Sequence, residues 1–202
     1  MRDQLIAALC TAPKADVRQY LVSVLVEATN LETRLISSAG SVMSVQRADA
    51  KGDNDVEGAV KVLLPLALLE RVKKNRLSDH VEIIRIGDDW HMRDDAAQIS
   101  FKPMEDRYPD YRRILPAKLS GDAARFDPAL LQVFVKAAAV FGLKPHEVQL
   151  SPDGEKGMLV SIGRDTEYIG VLMPLREKTL PVKLTAAPSW ARAELVAQEE
   201  LI

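Results

Sequence analysis

The sequence predicts an α+β fold built from antiparallel meanders, with one helix per repeat packed on a face. Three observations point there. A short helical segment followed by a run of strands recurs three times along the 202 residues. Turn residues punctuate the strands at hairpin spacing. The composition, 47% hydrophobic and 28% charged, is that of a globular chain with enough apolar side chains for a core.

The first repeat opens on the helix Arg2–Leu9, with Leu5, Ile6 and Leu9 at helical spacing, and Pro13 ends it. The β-branched run Tyr20–Glu27 reads as a strand, Asn30 as a turn, and Arg34–Ser37 and Val42–Arg47 as two more strands about the small-residue turn Ser38–Ser41. An acidic loop, Ala48–Glu57, follows. The second repeat begins with the strand Ala59–Leu64. Pro65 then starts the helix Leu66–Arg76, where its missing N–H costs little. Strands Val81–Ile86, Trp90–Arg93 and Ala97–Lys102 come next, turning at Gly87-Asp88-Asp89 and Asp94-Asp95. Met104–Ala117 has no clean period and reads as an extended connector. In the third repeat the strand Ala124–Phe126 leads to the helix Pro128–Phe141, capped by Asp127 and stopped by Gly142. Its strands are His146–Leu150, Met158–Gly163 and Tyr168–Pro174, with Ser151-Pro152-Asp153-Gly154 as a hairpin turn. Val182–Thr185 and Pro188–Leu201 read either as the start of a fourth repeat or as a peripheral strand-helix tail.

Charge and cysteine usage narrow the function. With 27 Lys+Arg against 29 Asp+Glu the net charge is −2. This excludes a disordered chain and a globally basic nucleic-acid binder, so any DNA contact belongs to local patches. The single cysteine, Cys10, excludes a disulfide scaffold and fits a reducing cytoplasm. Neither Val62–Leu69 nor Val133–Gly142 approaches the ~20 apolar residues of a membrane span, and the N-terminal stretch is too interrupted for a signal. The expected compartment is the cytoplasm. His80, His91 and His146 are dispersed, so no metal site and no cofactor is expected. Asp88-Asp89 and Asp94-Asp95 read as turns rather than a cation site, and Trp90 and Trp190 as packing residues.

Three motifs carry a resemblance to a known family. Asp16-Val17-Arg18-Gln19-Tyr20-Leu21 leads into an apolar strand, Arg107-Tyr108-Pro109-Asp110-Tyr111-Arg112-Arg113-Ile114-Leu115-Pro116 fills the connector, and Val171-Leu172-Met173-Pro174-Leu175-Arg176 closes the third repeat. The chain resembles the bacterial β sliding clamp, the processivity factor of the replicative DNA polymerase, over residues 2–176. It lacks counterparts of the first clamp domain, of the strand before the first helix, and of the first half of the third domain. The family's Thr-Asp-Gly-His-Arg-Leu turn stands here as Ser38-Ala39-Gly40-Ser41-Val42-Met43. The resemblance implies clamp-like βαβββ repeats: a domain at 1–103 holding two repeats with its first strand missing, a connector at 104–122, a half-domain at 123–177 and a tail at 178–202.

The resemblance also implies a function without catalysis. A groove for polymerase or clamp-loader peptides of the Gln-Leu-x-Leu-Phe type would comprise Leu21, Ser38, Gly40, Met43, Pro109, Arg113, Ile114, Val171, Leu172, Met173, Pro174 and Leu175. From the residues alone, the same set reads as core and linker packing. Duplex DNA would be held non-specifically by Arg71, Lys73, Lys74 and Arg76 on the second helix, which otherwise read as a solvated face. Clamp rings hold twelve such units, so by the resemblance a chain of three implies a homotetrameric ring, and a monomeric mass in a light-scattering measurement would contradict it. The alternatives are a peptide-binding adaptor or decoy that closes no ring, and an unrelated α+β protein binding a small ligand.

Overall fold

The computed structural model describes residues 1–48, 54, 56, 58–75, 80–95, 97–164 and 167–175. Among these residues, ten strands form two antiparallel sheets, and three α-helices accompany them. In chain order the elements are α1 (Arg2–Thr11), β1 (Ser23–Ala28), β2 (Thr33–Ser38), β3 (Val42–Ala48), β4 (Val60–Pro65), α2 (Leu66–Asn75), β5 (Glu82–Ile86), β6 (Asp89–Arg93), β7 (Gln98–Phe101), α3 (Pro128–Val140), β8 (Val148–Pro152), β9 (Met158–Ile162) and β10 (Tyr168–Leu172).

The larger sheet has seven strands in the order β4-β1-β2-β3-β10-β9-β8, and the smaller is the meander β5-β6-β7. The second repeat is therefore divided: its first strand, β4, pairs with β1 of the first repeat. β10 of the third repeat pairs with β3, Val171 opposite Met43 and Leu172 opposite Val42. One continuous sheet thus joins the repeats on either side of the connector.

Strand alternation gives this sheet two apolar faces. On the helix face, Val24, Val26, Leu35, Val62 and Leu64 meet Leu5 and Ala8 of α1, Leu68, Leu69 and Val72 of α2, and Met92 and Ile99 of the small sheet. On the same face, Val42, Val160, Ile162 and Leu172 meet Phe134, Ala137 and Ala138 of α3. Gly170 allows this close fit, since a Cβ there would lie 2.3 Å from the Phe134 ring. Between the two cores runs a buried hydroxyl seam. Thr11 and Ser37 lie 2.8 and 3.0 Å from the Ser44 hydroxyl, and Ser37 donates to the Ala8 carbonyl at 2.8 Å. The opposite face carries a third core of Leu25, Ile36, Met43, Leu63, Tyr111 and Val171, with Met104, Tyr108 and Leu115 of the connector packed on it.

Several boundaries move for identifiable reasons. Tyr20–Leu21 belong to a 3-10 turn, Gln19–Leu21, and the strand starts at Ser23. The connector is not extended throughout, because Asp110 caps a 3-10 turn at Tyr111–Ile114 by accepting the Arg112 N–H. Residues 124–126 form no strand, although the Arg125 carbonyl accepts the Leu175 N–H at 2.8 Å. The hairpin turn falls later than expected, since β8 runs through Pro152 and the loop is Asp153–Gly157. On α1 the buried side chains are Leu5, Ala7, Ala8 and Thr11 rather than Ile6 and Leu9, because the helix lies between β2, β3 and α3, where small residues permit close approach. The turn at Gly87–Asp88 closes a hairpin, the Asp94 N–H donates to the Ala97 carbonyl between β6 and β7, and Trp90 packs against Phe101. Most of the acidic loop, Arg76 and the tail with Trp190 lie outside the described residues.

Candidate functional site

The β3–β10 junction positions the expected groove. Met43 and Val171 sit opposite each other in the register and on the connector face of the sheet. Past the end of β10, the Met173 N–H donates to the Ser41 carbonyl at 2.9 Å, which seats Met173 beside the turn between β2 and β3. That turn is self-supporting: the Ser38 hydroxyl donates to the Val42 carbonyl at 3.0 Å and accepts the Gly40 N–H at 3.2 Å. Gly40 adopts a φ of 82°, and a Cβ there would lie 3.2 Å from the Arg18 guanidinium. Glycine serves both needs at this position.

Around the 3-10 turn of the connector lie two recesses. The smaller, about 10 Å³, is lined by Ile114, Pro116, Asp153, Lys156, Gly157, Met158 and Val171. Gly157 has a φ of 139° and leaves space against the Met173 sulfur, 3.8 Å from where its Cβ would be. The larger, about 670 Å³, lies on the β1–β4 side, between Leu25, Leu63, Trp90, Met104, Tyr108 and Pro109, with Glu27, Lys61 and Arg112 also in its lining.

The expected groove set therefore divides. Met43, Val171, Met173, Ile114, Ser38 and Gly40 converge at the junction. Leu172 is fully buried beneath α3, because successive strand residues face opposite sides of the sheet, so it cannot line a cleft with Val171. Pro109 borders the large recess instead. Leu21 is buried at the end of its 3-10 turn, Arg113 is exposed on the connector, Pro174 is half-buried, and Leu175 is tied to Arg125. Arg71, Lys73 and Lys74 are exposed on α2, and Arg76 lies outside the described residues. Burial pushes the Cys10 thiol up against the opposing fields of Lys73 and Lys136, which places one lysine of α2 and one of α3 about the same point of α1.

Residues outside the expected groove set also stand here. Arg18 is held by Asp16 through two bonds of 2.9 Å, and these pull the Asp16 carboxyl down to about 2. Its neighbour Val17 is 94% exposed. Asp153, Lys156 and Gly157 come from the β8–β9 loop. The only sequence signal for them was the turn chemistry of Pro152-Asp153-Gly154. Among the described residues no three His, Cys, Asp or Glu side chains are placed to hold a metal ion. No helix among them is long and apolar enough to cross a membrane.

This architecture, antiparallel sheets with helices on one face and a strap across the other, is the fold of a bacterial sliding clamp. The chain aligns with the DNA polymerase III subunit beta of Pseudomonas aeruginosa at a TM-score of 0.66 and 16% identity, covering 87% of this chain and 64% of that one. The H. pylori beta clamp, solved in complex with diflunisal, aligns at 0.70 and 10% identity over 88% of this chain and 64% of that one. The beta subunit of Thermotoga maritima aligns at 0.66 and 11% identity over 87% and 63%. The chain thus spans about 64% of the length of the clamps it resembles. No protein-family model and no curated protein matches the sequence.

Proposed function

We propose that this protein is a sliding-clamp-like replication factor that captures partner peptides in the groove at the β3–β10 junction and, as a ring of several copies, encircles duplex DNA. The observation that carries this reading is the pairing of β3 with β10 beneath the connector: Met43, Val171 and Met173 share one apolar cluster there, and Val171 also lines a small recess together with Ile114. Ile114 is 46% exposed there. An extended peptide with two apolar anchors matches such a surface, and the flexible methionines suit partners of differing shape. Arg113, exposed on the connector, supplies a polar edge. The partners on this reading are polymerase or clamp-loader peptides. The three helices share one face of the sheet, so Arg71, Lys73 and Lys74 would meet phosphates without reading bases. The unit count gives four copies per ring, and the outer strands β4 and β8 of the large sheet offer edges for assembly.

The test is a titration of a fluorescent Gln-Leu-Ser-Leu-Phe peptide, followed by anisotropy. Saturable binding that weakens roughly tenfold on Met173→Ala or Arg113→Ala is expected, a typical loss for truncating a groove anchor. Absence of binding, or indifference to both substitutions, overturns the peptide groove.

A further inference from the structure

We propose that Asp153 is a specificity residue of this groove: its free carboxylate oxygen takes a hydrogen-bond donor from the captured peptide. The proposal rests on the peptide reading of the groove. Asp153 is only 3% exposed, although aspartate is rarely buried without full partnership. Its position is fixed from several sides. Oδ1 accepts the Ser120 N–H at 2.7 Å, and the Asp153 N–H donates to the Gly157 carbonyl at 2.9 Å. On either side of it, Gly154 donates to the Asp122 carbonyl at 2.9 Å and Pro152 accepts from Gly121 at 3.2 Å. The second oxygen, Oδ2, is buried and has no hydrogen-bond partner among the described residues. The Ser120 backbone N–H outweighs burial and, with the Ser120 hydroxyl and the Lys156 ammonium, keeps the carboxyl below the usual carboxylate range.

Asp153 lines the same recess as Ile114, Gly157 and Val171. Its room, about 10 Å³, is close to the least that holds one water. A charged acceptor fixed beside the apolar Ile114, Met158 and Val171, with Lys156 also in the lining, rewards a ligand that brings a donor to it and penalises one that brings it only an acceptor. The ligand class is therefore an extended peptide carrying an amide, hydroxyl or ammonium donor next to the side chain that packs on Ile114 and Val171. A carboxylate at that position is disfavoured.

The experiment compares two labelled peptides, Gln-Leu-Ser-Leu-Phe and the same peptide with its Gln replaced by the γ-methyl ester of glutamate, which keeps the shape and removes the donor. Both are titrated against the wild-type protein and against Asp153→Asn. The asparagine retains an oxygen for the Ser120 N–H and presents an amide donor in place of Oδ2. The wild type is expected to favour the Gln peptide roughly tenfold, and Asp153→Asn to bring the two within about twofold or to reverse them. A wild type that binds both peptides equally, or an unchanged preference in the variant, overturns the role of Asp153 and leaves the peptide groove standing. Failure of the wild type to bind either peptide overturns both. The wild-type comparison decides the matter even if the variant does not fold.

Discussion

Glu27 shows how single side chains fasten the connector to the sheet. Its carboxylate receives the Tyr111 hydroxyl at 3.0 Å, Arg112 at 2.6 Å and Lys61 at 2.9 Å. Burial opposes the charge, but these partners outweigh it and hold the carboxyl below its ordinary value. A carboxyl that is more acidic when folded stabilises fully above its unfolded value of about 4.3, and the contribution disappears as pH falls through the folded value. Glu27→Gln is therefore expected to cost about 1–2 kcal/mol at pH 7, with the difference from wild type closing toward pH 3. Urea unfolding from pH 7 to pH 3 checks this, and a constant difference would mean that Glu27 acts by packing instead. At this scale the sequence was informative only in part. The motifs suggested which residues to expect in a groove. The side of the sheet each one faces was not legible, because a register set by β3 and β10 turns Leu172 under α3 and Val171 under the connector. Arg18 and Gly157 stayed hidden because each acts through a neighbour distant in sequence, Gly40 and Met173.

At the scale of elements, local chemistry was the reliable guide. Asp127 caps α3 by accepting the Ala129 N–H at 2.8 Å, as its place before Pro128 implies. Hairpin strands fell within a few residues of their expected bounds. The failures arose where tertiary context overrode local pattern. β1 starts after a 3-10 turn that takes up the apolar Tyr20 and Leu21, and residues 124–126 form no strand although the Arg125 carbonyl accepts the Leu175 N–H. The helix α2 carries the element-scale prediction. Arg71, Lys73 and Lys74 are exposed, and a cation released per phosphate contact makes duplex affinity fall with salt. Replacing all three by alanine is expected to weaken binding to any duplex and to reduce the slope of log K against log salt by about 2–3. Affinities measured across a potassium chloride series decide it. An unchanged slope would mean that α2 faces away from DNA.

Over the whole molecule, the decisive feature is a sheet that ignores repeat boundaries. β4 crosses from the second repeat to β1 of the first, and β10 of the third joins β3. Counting repeats along the chain was possible from the sequence, but this exchange of strands was not, because antiparallel partners far apart leave no local mark. The exchange leaves the meander β5-β6-β7 as a separate three-stranded sheet. It also makes the proposed groove a product of the junction, so on that proposal peptide capture depends on the integrity of the large sheet. Ring closure is the claim that separates a sliding clamp from a peptide-binding adaptor of the same fold. Retention on DNA measures it directly: protein bound to a nicked circular duplex is passed through gel filtration before and after the circle is cut once. Co-elution with the circle and release from the linear form is the predicted result. Equal retention on both, or on neither, contradicts a ring around DNA.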